Sequence, residues 1–505
     1  MNNKLQQVLR HNDLKERIVD SETAAGWIKD GMTVGLSGFT RAGDVKAVPG
    51  ALVEKAKHED FCLDVYTGAS LGSDTDQIMA DAGIVCKRLP FQVDQRMREE
   101  INQGNISFID QHLSHTAEGV RHGSLNRIDA AIIEAAAITE EGWLVPSTSV
   151  GNSAVFAEEA EMIIVELNTA QPAELEGMHD IYHMGRQGER GPIPLRDVED
   201  RIGTTAIPVD PEKIQGIIIT NELDSPSTVT SPDETTKTMA GHLIDFLKNE
   251  YGHENAEKEL PPLQSGIGTV ANAVFHGLLD SEFTNLEVYS EVLQDAVFDL
   301  MDAGKVRFAS GCSITLSGEK MNEVFPKLAD YRDQLVLRPQ ELSNHPEIIR
   351  RLGLISINTA LEADIYGNVN STHVNGTNMM NGIGGSGDFA RNARTAIFVT
   401  KSIAKNGDIS SIVPFASHVD HTEHDVDILV TEQGYADLRG LAPRERAAEV
   451  IQHCAHPLYQ EQLWSYFQRA CEEAGGQTPH LLEEAFSWHV QMQKEGTMRE
   501  AATKI

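Results

Sequence analysis

Positive charge is scarce in this chain. Its 505 residues hold 42 Lys and Arg against 76 Asp and Glu, a formal net charge of −34. No basic stripe can offset such a field, so nucleic acid is excluded as a partner, and an anionic membrane surface with it. An anionic ligand would need a pocket made locally positive by lysines, arginines and helix N-termini. Cysteine is sparse too. Cys62, Cys86, Cys312, Cys454 and Cys471 are scattered, odd in number and form no Cys-x-x-Cys pair. The expectation is free, buried thiols in a reducing compartment. No apolar run reaches signal-peptide or transmembrane length, which predicts a cytoplasmic protein. No Gly-x-Ser-x-Gly elbow anchors a serine triad, and no Gly-Lys-Ser/Thr marks a phosphate loop.

What is present suits a globular enzyme: 40% hydrophobic and 23% charged residues, in a chain too long for one core. The two halves read as distant copies. Ser37-Gly38-Phe39 before an amphipathic helix matches Ser265-Gly266-Ile267. Leu63-Asp-Val-Tyr-Thr-Gly68 matches Leu286-Glu-Val-Tyr-Ser-Glu291, and Ile133-Glu134-Ala135 matches Leu361-Glu362-Ala363. Ile217 to Glu222 matches Ile428 to Glu432. Short β-branched runs alternate with helical patterns in both copies. This predicts two tandem, similar α/β domains with mainly parallel sheets, residues 1–224 and 225–505. The Ser-, Thr- and Pro-rich stretch from Leu223 to Glu234 reads as a linker ending in a helix cap. Gly177 to Gly203 reads as a long excursion, and the chain from Pro443 onward as helices.

Glu291 is the most informative residue. Leu286, Val288 and Ser290 alternate with Glu287, Tyr289 and Glu291, as in a strand that runs out at an acid. Such a carboxylate faces the crevice where α/β proteins bind ligands. Upstream, Leu263 to Val274 is a glycine turn opening a helix. A carboxylate beside a glycine turn suits covalent catalysis, in which one group attacks and backbone N–H groups hold the oxyanion. Asn381-Gly-Ile-Gly-Gly-Ser-Gly-Asp388 brings four glycines into six residues, allowing close backbone approach to a ligand. Glu432 ends a second apolar run, where it either joins Glu291 in one crevice or pairs with Arg439. His418, His421 and His424 stand at three-residue spacing, a pattern that either ligates zinc or lies in a solvated loop.

Together, Gln264-Ser-Gly-Ile-Gly268, Tyr289-Ser-Glu291, Glu362-Ala-Asp-Ile-Tyr-Gly-Asn368, Asn381 to Arg391 and Thr431-Glu-Gln-Gly434 resemble the acetyl-CoA hydrolase/transferase family, the class I CoA-transferases. The resemblance runs along nearly the whole chain and includes Val34 to Thr40, Thr67 to Ser70 and Gly177 to Ile181. It is greatest to the bacterial succinyl-CoA:acetate CoA-transferases. It implies a mixed anhydride and then a γ-glutamyl-CoA thioester on Glu291. The N–H groups of Ile267 and Gly385 would hold oxyanions on the Glu291 side, and the Asn344 side chain on the acyl side. Glu432 would orient the substrate carboxylate or Glu291. CoA would run along Leu263, Gln264, Ser265, Gly266, Ile267, Leu361, Asn381 and Gly385, with Lys405 near its phosphates.

The resemblance further implies no metal and no resident cofactor, CoA as a substrate, small carboxylate partners and a homodimer. One departure stands out. Relatives carry arginine after the Thr-Asn pair, where this chain reads Thr220-Asn-Glu-Leu-Asp-Ser225. Succinyl-CoA with acetate is the first expected reaction, and propionyl-CoA with succinate the second. An acyl-CoA hydrolase is the next alternative, followed by a metal-dependent hydrolase on the three histidines and a non-catalytic CoA-binding protein.

Overall fold

The computed structural model describes residues 3–72, 74–228, 232–252 and 259–499. The chain forms two compact units. Unit 1 comprises residues 1–229 and 286–352, and unit 2 comprises residues 230–285 and 353–505.

The strands of unit 1's N-terminal segment are β1 (Thr33–Leu36), β2 (Leu63–Tyr66), β3 (Val85–Leu89), β4 (Ser107–Phe108), β5 (Ala130–Ile138), β6 (Leu144–Pro146), β7 (Met162–Asn168) and β8 (Ile214–Thr220). They form one sheet in the order β4-β3-β2-β1-β5-β7-β8, parallel except for β6, which lies antiparallel on β5. The runs Ile132-Ile133 and Ile163-Ile164-Val165 are fully buried, as expected of parallel strands covered on both faces. In chain order there follow β9 (Leu263–Ser265), β10 (Leu286–Tyr289), β11 (Val306–Gly311), β12 (Leu335–Leu337), β13 (Ile355–Thr359), β14 (Thr395–Val399), β15 (Ile428–Thr431) and β16 (Gly434–Asp437). In unit 1, β10, β11 and β12 run parallel in the order β12-β11-β10, repeating β4-β3-β2. In unit 2, β9-β13-β14-β15 repeats β1-β5-β7-β8, and β16 adds an antiparallel edge. The predicted α/β architecture with mainly parallel sheets is the one observed.

The helices Pro443–His453 and Pro457–Arg469 cover unit 2's sheet. Their Val450, Ile451, Leu463 and Phe467 share a core with Phe398 and Leu429. Each helix has proline in its first turn, where the missing N–H costs nothing. No described helix is long and apolar enough to cross a membrane.

Two sequence expectations are corrected. Cys62 and Cys86 are joined in a disulfide, because the β2–β3 register sets Leu63 beside Val85 and so brings their neighbours together. Only Cys312, Cys454 and Cys471 are free, so cysteine usage does not argue for a reducing compartment. Glu134 is not the counterpart of Glu362. It lies inside β5, whereas Glu362 lies beyond β13 on a separate short strand, Glu362–Asp364. The stretch read as a linker from Leu223 to Glu234, of which 229–231 lie outside the described residues, has no regular structure where it is described. It ends as expected in a helix cap, the Asp233 side chain accepting from the Thr236 N–H at 2.8 Å; Asp224 within it is buried.

Asp224 belongs to a buried ionic cluster at the strand ends. The Lys46 ammonium lies 3.1 Å from Asp44, 2.8 Å from Glu134 and 3.0 Å from Asp224. Burial opposes its charge, but the three carboxylates outweigh burial and keep it ionised. Burial pushes Glu134 up to about 8 and Asp44 up to about 6. One cation thus serves three acids, and removing it leaves them uncompensated. Lys46→Met is expected to cost about 3–5 kcal/mol of unfolding free energy, read from denaturant midpoints. A change under about 1 kcal/mol would place the cluster outside the cooperative core.

Two buried imidazoles give the fold an acid limit. Burial pushes His179 and His345 down from 6.5 to about 4. Between those values the unfolded chain binds more protons, so this contribution is whole above pH 6.5 and is lost as pH falls toward 4. The denaturation midpoint should fall over that window, and His179→Gln with His345→Gln should flatten the slope.

Candidate active site

Glu291 follows β10 and is held by its backbone. Ser290 N–H donates to the Ser310 carbonyl at 2.9 Å, and the Glu291 carbonyl accepts from the N–H groups of Cys312 (2.7 Å) and Ser313 (3.0 Å). The residue is 7% exposed. Its carboxylate accepts a hydrogen bond from Asn344 Nδ2 at 2.9 Å. Asn344 is fully buried, and its Oδ1 has no partner among the described residues. An orphaned buried carbonyl costs roughly 1–3 kcal/mol, and such atoms concentrate where a ligand is expected. The amide has a second N–H besides the one given to Glu291.

Asn344 ends the short helix Gln340–Ser343. Four contacts fix that helix. Gln340 N–H donates to the Gly151 carbonyl at 2.9 Å, and Gln340 Nε2 to the Leu113 carbonyl at 3.0 Å. Glu341 forms a buried ion pair with Arg121. The Tyr289 hydroxyl donates to the Leu342 carbonyl at 2.7 Å, so the strand carrying Glu291 and the helix carrying Asn344 are directly tied. Nothing in the sequence marks Arg121 or Glu341 for this work, and Tyr289 is suggested only by standing two residues before Glu291. Val292 and Cys312 adjoin Glu291 and cluster with Phe39, Ala69, Phe91 and Leu113. These surroundings are apolar, so charge interactions among them are strong. Burial pushes the Cys312 thiol well above the usual range and Glu291 adds to this, so Cys312 stays neutral.

The other sequence-derived candidates belong to unit 2. Leu263, Gln264 and Ser265 form β9, and the Gly266 N–H donates to the Ile357 carbonyl at 2.9 Å. The Leu263 and Gln264 side chains are buried, and Gln264 is engaged with Asn358, so only their backbone can face a ligand. Ile267 is 40% exposed and Leu361 36%. Gly268 then takes a φ of 123°, which favours glycine, and the helix Thr269–Leu279 begins. Asn381 Nδ2 donates to the carbonyls of Ser371 (3.2 Å) and Gly382 (2.9 Å). Gly385 precedes the helix Ser386–Asn392. Among the described residues, no acceptor is seen for the N–H of Ile267 or Gly385.

Glu432 does not pair with Arg439. That arginine is taken by Asp437 and Glu250. Glu432 instead accepts from the Ser402 N–H at 2.9 Å and from the Ser402 hydroxyl. Burial opposes its charge, but the Ser402 hydrogen bonds outweigh burial and hold it below the usual carboxylate range. Ser402 carried no sequence signal. Lys405 is exposed, on the hairpin whose turn carbonyls Arg499 binds. The three histidines do not converge. His421 is buried against Phe398, His418 lies 3.2 Å from Asp420, and His424 points into solvent toward Glu423. No metal-holding cluster occurs among the described residues.

The acetyl-CoA hydrolase/transferase N-terminal domain matches residues 1–219, and the C-terminal domain of the same family matches residues 321–467. The chain is 52% identical over 493 residues to succinyl-CoA:acetate CoA-transferase of Clostridium kluyveri, covering 97% of this chain and 92% of the relative. It is 44% identical over 510 residues to an acetyl-CoA hydrolase of Schizosaccharomyces pombe, covering 97% and 98%. Among solved structures, RipA from Yersinia pestis shares the fold at a TM-score of 0.69 and 20% identity, over 90% of this chain and 97% of that one. The chain is therefore an enzyme of the acetyl-CoA hydrolase/transferase family.

Proposed function

We propose that the enzyme moves CoA between short-chain carboxylic acids through a γ-glutamyl-CoA thioester on Glu291, with succinyl-CoA and acetate as the first pair. The observation that carries this reading is the Glu291–Asn344 hydrogen bond in an apolar, nearly closed setting. A carboxylate with little water around it is a better nucleophile than a solvated one. A Glu291 oxygen attacks the acyl-CoA carbonyl, the C–S bond breaks, and CoA leaves as thiolate. The product is a mixed anhydride. The thiolate then attacks the glutamyl carbonyl, releasing the donor acid as carboxylate and forming the thioester. An incoming carboxylate reverses both steps, and no net proton is exchanged. CoA enters as a substrate, and the sequence of steps calls for no resident cofactor.

Each addition to a carbonyl creates an oxyanion. The remaining Asn344 N–H and the unspent N–H groups of Ile267 and Gly385 suit those charges. One such donor supplies roughly 3–4 kcal/mol of transition-state stabilisation. The identity to a named succinyl-CoA:acetate transferase supports the choice of substrates. A second reading, hydrolysis, is favoured by the identity to a named acetyl-CoA hydrolase. There water would resolve the anhydride or the thioester. Acetate-dependent release of CoA from succinyl-CoA separates the two, and propionate with succinate is the next pair to assay.

Incubation with acetyl-CoA and no acceptor, followed by borohydride and peptide mapping, should find reduction at Glu291. A turning-over enzyme with unmodified Glu291 would end the covalent reading. Glu291→Ala should lose transfer while keeping its denaturation midpoint near that of the native protein. Gly385→Pro removes the proposed donor N–H and should lower kcat about 100-fold or more. Near-native turnover in that variant would remove Gly385 from the oxyanion site.

A further inference from the structure

The histidine motif finds no use in the proposed reaction, yet one of its members is among the best-anchored side chains of unit 2. We propose that His421 is a positioning residue that holds the glycine-rich loop in the shape that presents the Gly385 N–H. This rests on the covalent reading above, and it assigns the motif a role other than metal binding.

His421 is 1% exposed, and its ring lies over Phe398 of β14 with centroids 4.6 Å apart. Its own backbone is paired with Val369: the His421 carbonyl accepts from Val369 N–H at 2.8 Å, and its N–H donates back at 3.0 Å. The ring is thus seated on the sheet, and its backbone is tied to the Val369 segment at the side. Its Nε2 lies 3.1 Å from Ser386 Oγ and 3.3 Å from Ser371 Oγ.

Those two serines bracket the loop. Ser386 follows Gly385, and its hydroxyl donates to the Ile383 carbonyl at 2.7 Å, closing the turn Ile383-Gly-Gly-Ser386. Ser371 stands on the other side, and its carbonyl accepts from Asn381 Nδ2 at 3.2 Å. Each hydroxyl has one proton. Ser386 gives its proton to Ile383, and Ser371 gives its own to Asp420 Oδ2 at 3.3 Å. The Ser386 oxygen therefore faces Nε2 as an acceptor, an arrangement that favours hydrogen on Nε2, from which Ser371 Oγ can accept as well. One ring nitrogen ties the two ends of the loop together, and the ring is seated on the sheet. Without it, the turn from Ile383 to Ser386 keeps its internal bond but loses its link to Ser371 and to Phe398.

Single-turnover labelling of Glu291 by acetyl-CoA, with steady-state kinetics beside it, tests the role. His421→Leu should slow labelling and kcat about 100-fold, with KM for acyl-CoA within about threefold, because a donor displaced by roughly 1 Å loses that much. His421→Gln restores an N–H donor and should recover most of the loss. If His421→Leu does not fold, Ser386→Ala removes both the acceptor for His421 and the bond to the Ile383 carbonyl, and should show a kcat-specific loss at least as large. Native labelling rates in His421→Leu or Ser386→Ala, or equal losses in His421→Leu and His421→Gln, would overturn the positioning role alone. No labelling of native Glu291 would overturn the covalent reading, and this role with it.

Discussion

The hydrogen bond from Asn344 to Glu291 is the contact on which the arrangement of unit 1 turns. It joins a strand end to a helix end that are 53 residues apart in sequence. Neither partner is held by that bond alone. Glu291 is fixed through its carbonyl, and Asn344 through a helix bound by Gln340, Glu341 and the Tyr289 hydroxyl. The carboxylate and the amide therefore meet without either having to be ordered when a substrate arrives. Preorganisation of this kind is where an enzyme of this chemistry gains most, because donors already in place spend no free energy reorienting as charge develops.

The strong net negative charge sets a second constraint. An acyl-CoA is anionic, yet long-range attraction from a protein of charge −34 is not available to it. In the proposed mechanism the oxyanion is therefore stabilised by short-range donors: backbone N–H groups and one asparagine amide. Buried carboxylates have to be neutralised or given donors of their own. Glu432 is given Ser402. The acids at the strand ends of the first sheet are given Lys46, Thr148 and Gln171. Asp224 is one of these: of the two acids between Thr220 and Ser225, Asp224 is drawn into the core and Glu222 is exposed.

Much of this was legible in the sequence, and the rest was not for identifiable reasons. Alternation ending at Glu291, and glycines crowded between Asn381 and Asp388, are local signals, and both are found where expected: at a strand end and before a helix. The repeated strand order was legible because LDVYTG and LEVYSE keep the same period. What failed required register. The Cys62–Cys86 bond depends on how β2 pairs with β3, and 24 residues of separation hide it. The burial of Asp224, the attachment of Ser402 to Glu432 and the seat of His421 on Phe398 are tertiary facts about ordinary polar residues. Motif spacing suggested metal for the histidines because spacing cannot say which nitrogen carries hydrogen or where each ring points.

The duplication explains why one copy carries the acid and the other does not. Gly68 ends the first copy's LDVYTG as Glu291 ends LEVYSE, and Tyr66 pairs with Leu89 as Tyr289 pairs with Ser310. A Cβ at position 68 would lie 2.5 Å from the Gly38 carbonyl oxygen and 3.2 Å from Gln340 Oε1. The first contact forbids any side chain there without movement of backbone. The second names what occupies the space. Gln340 opens the helix that ends at Asn344, and it is received by Leu113 and Gly151 of the first segment. The strand end without an acid is thus part of the seat for the helix whose Asn344 hydrogen-bonds Glu291. Two copies of one fold contribute unlike parts to unit 1, and the bare position 68 leaves the room that Gln340 occupies.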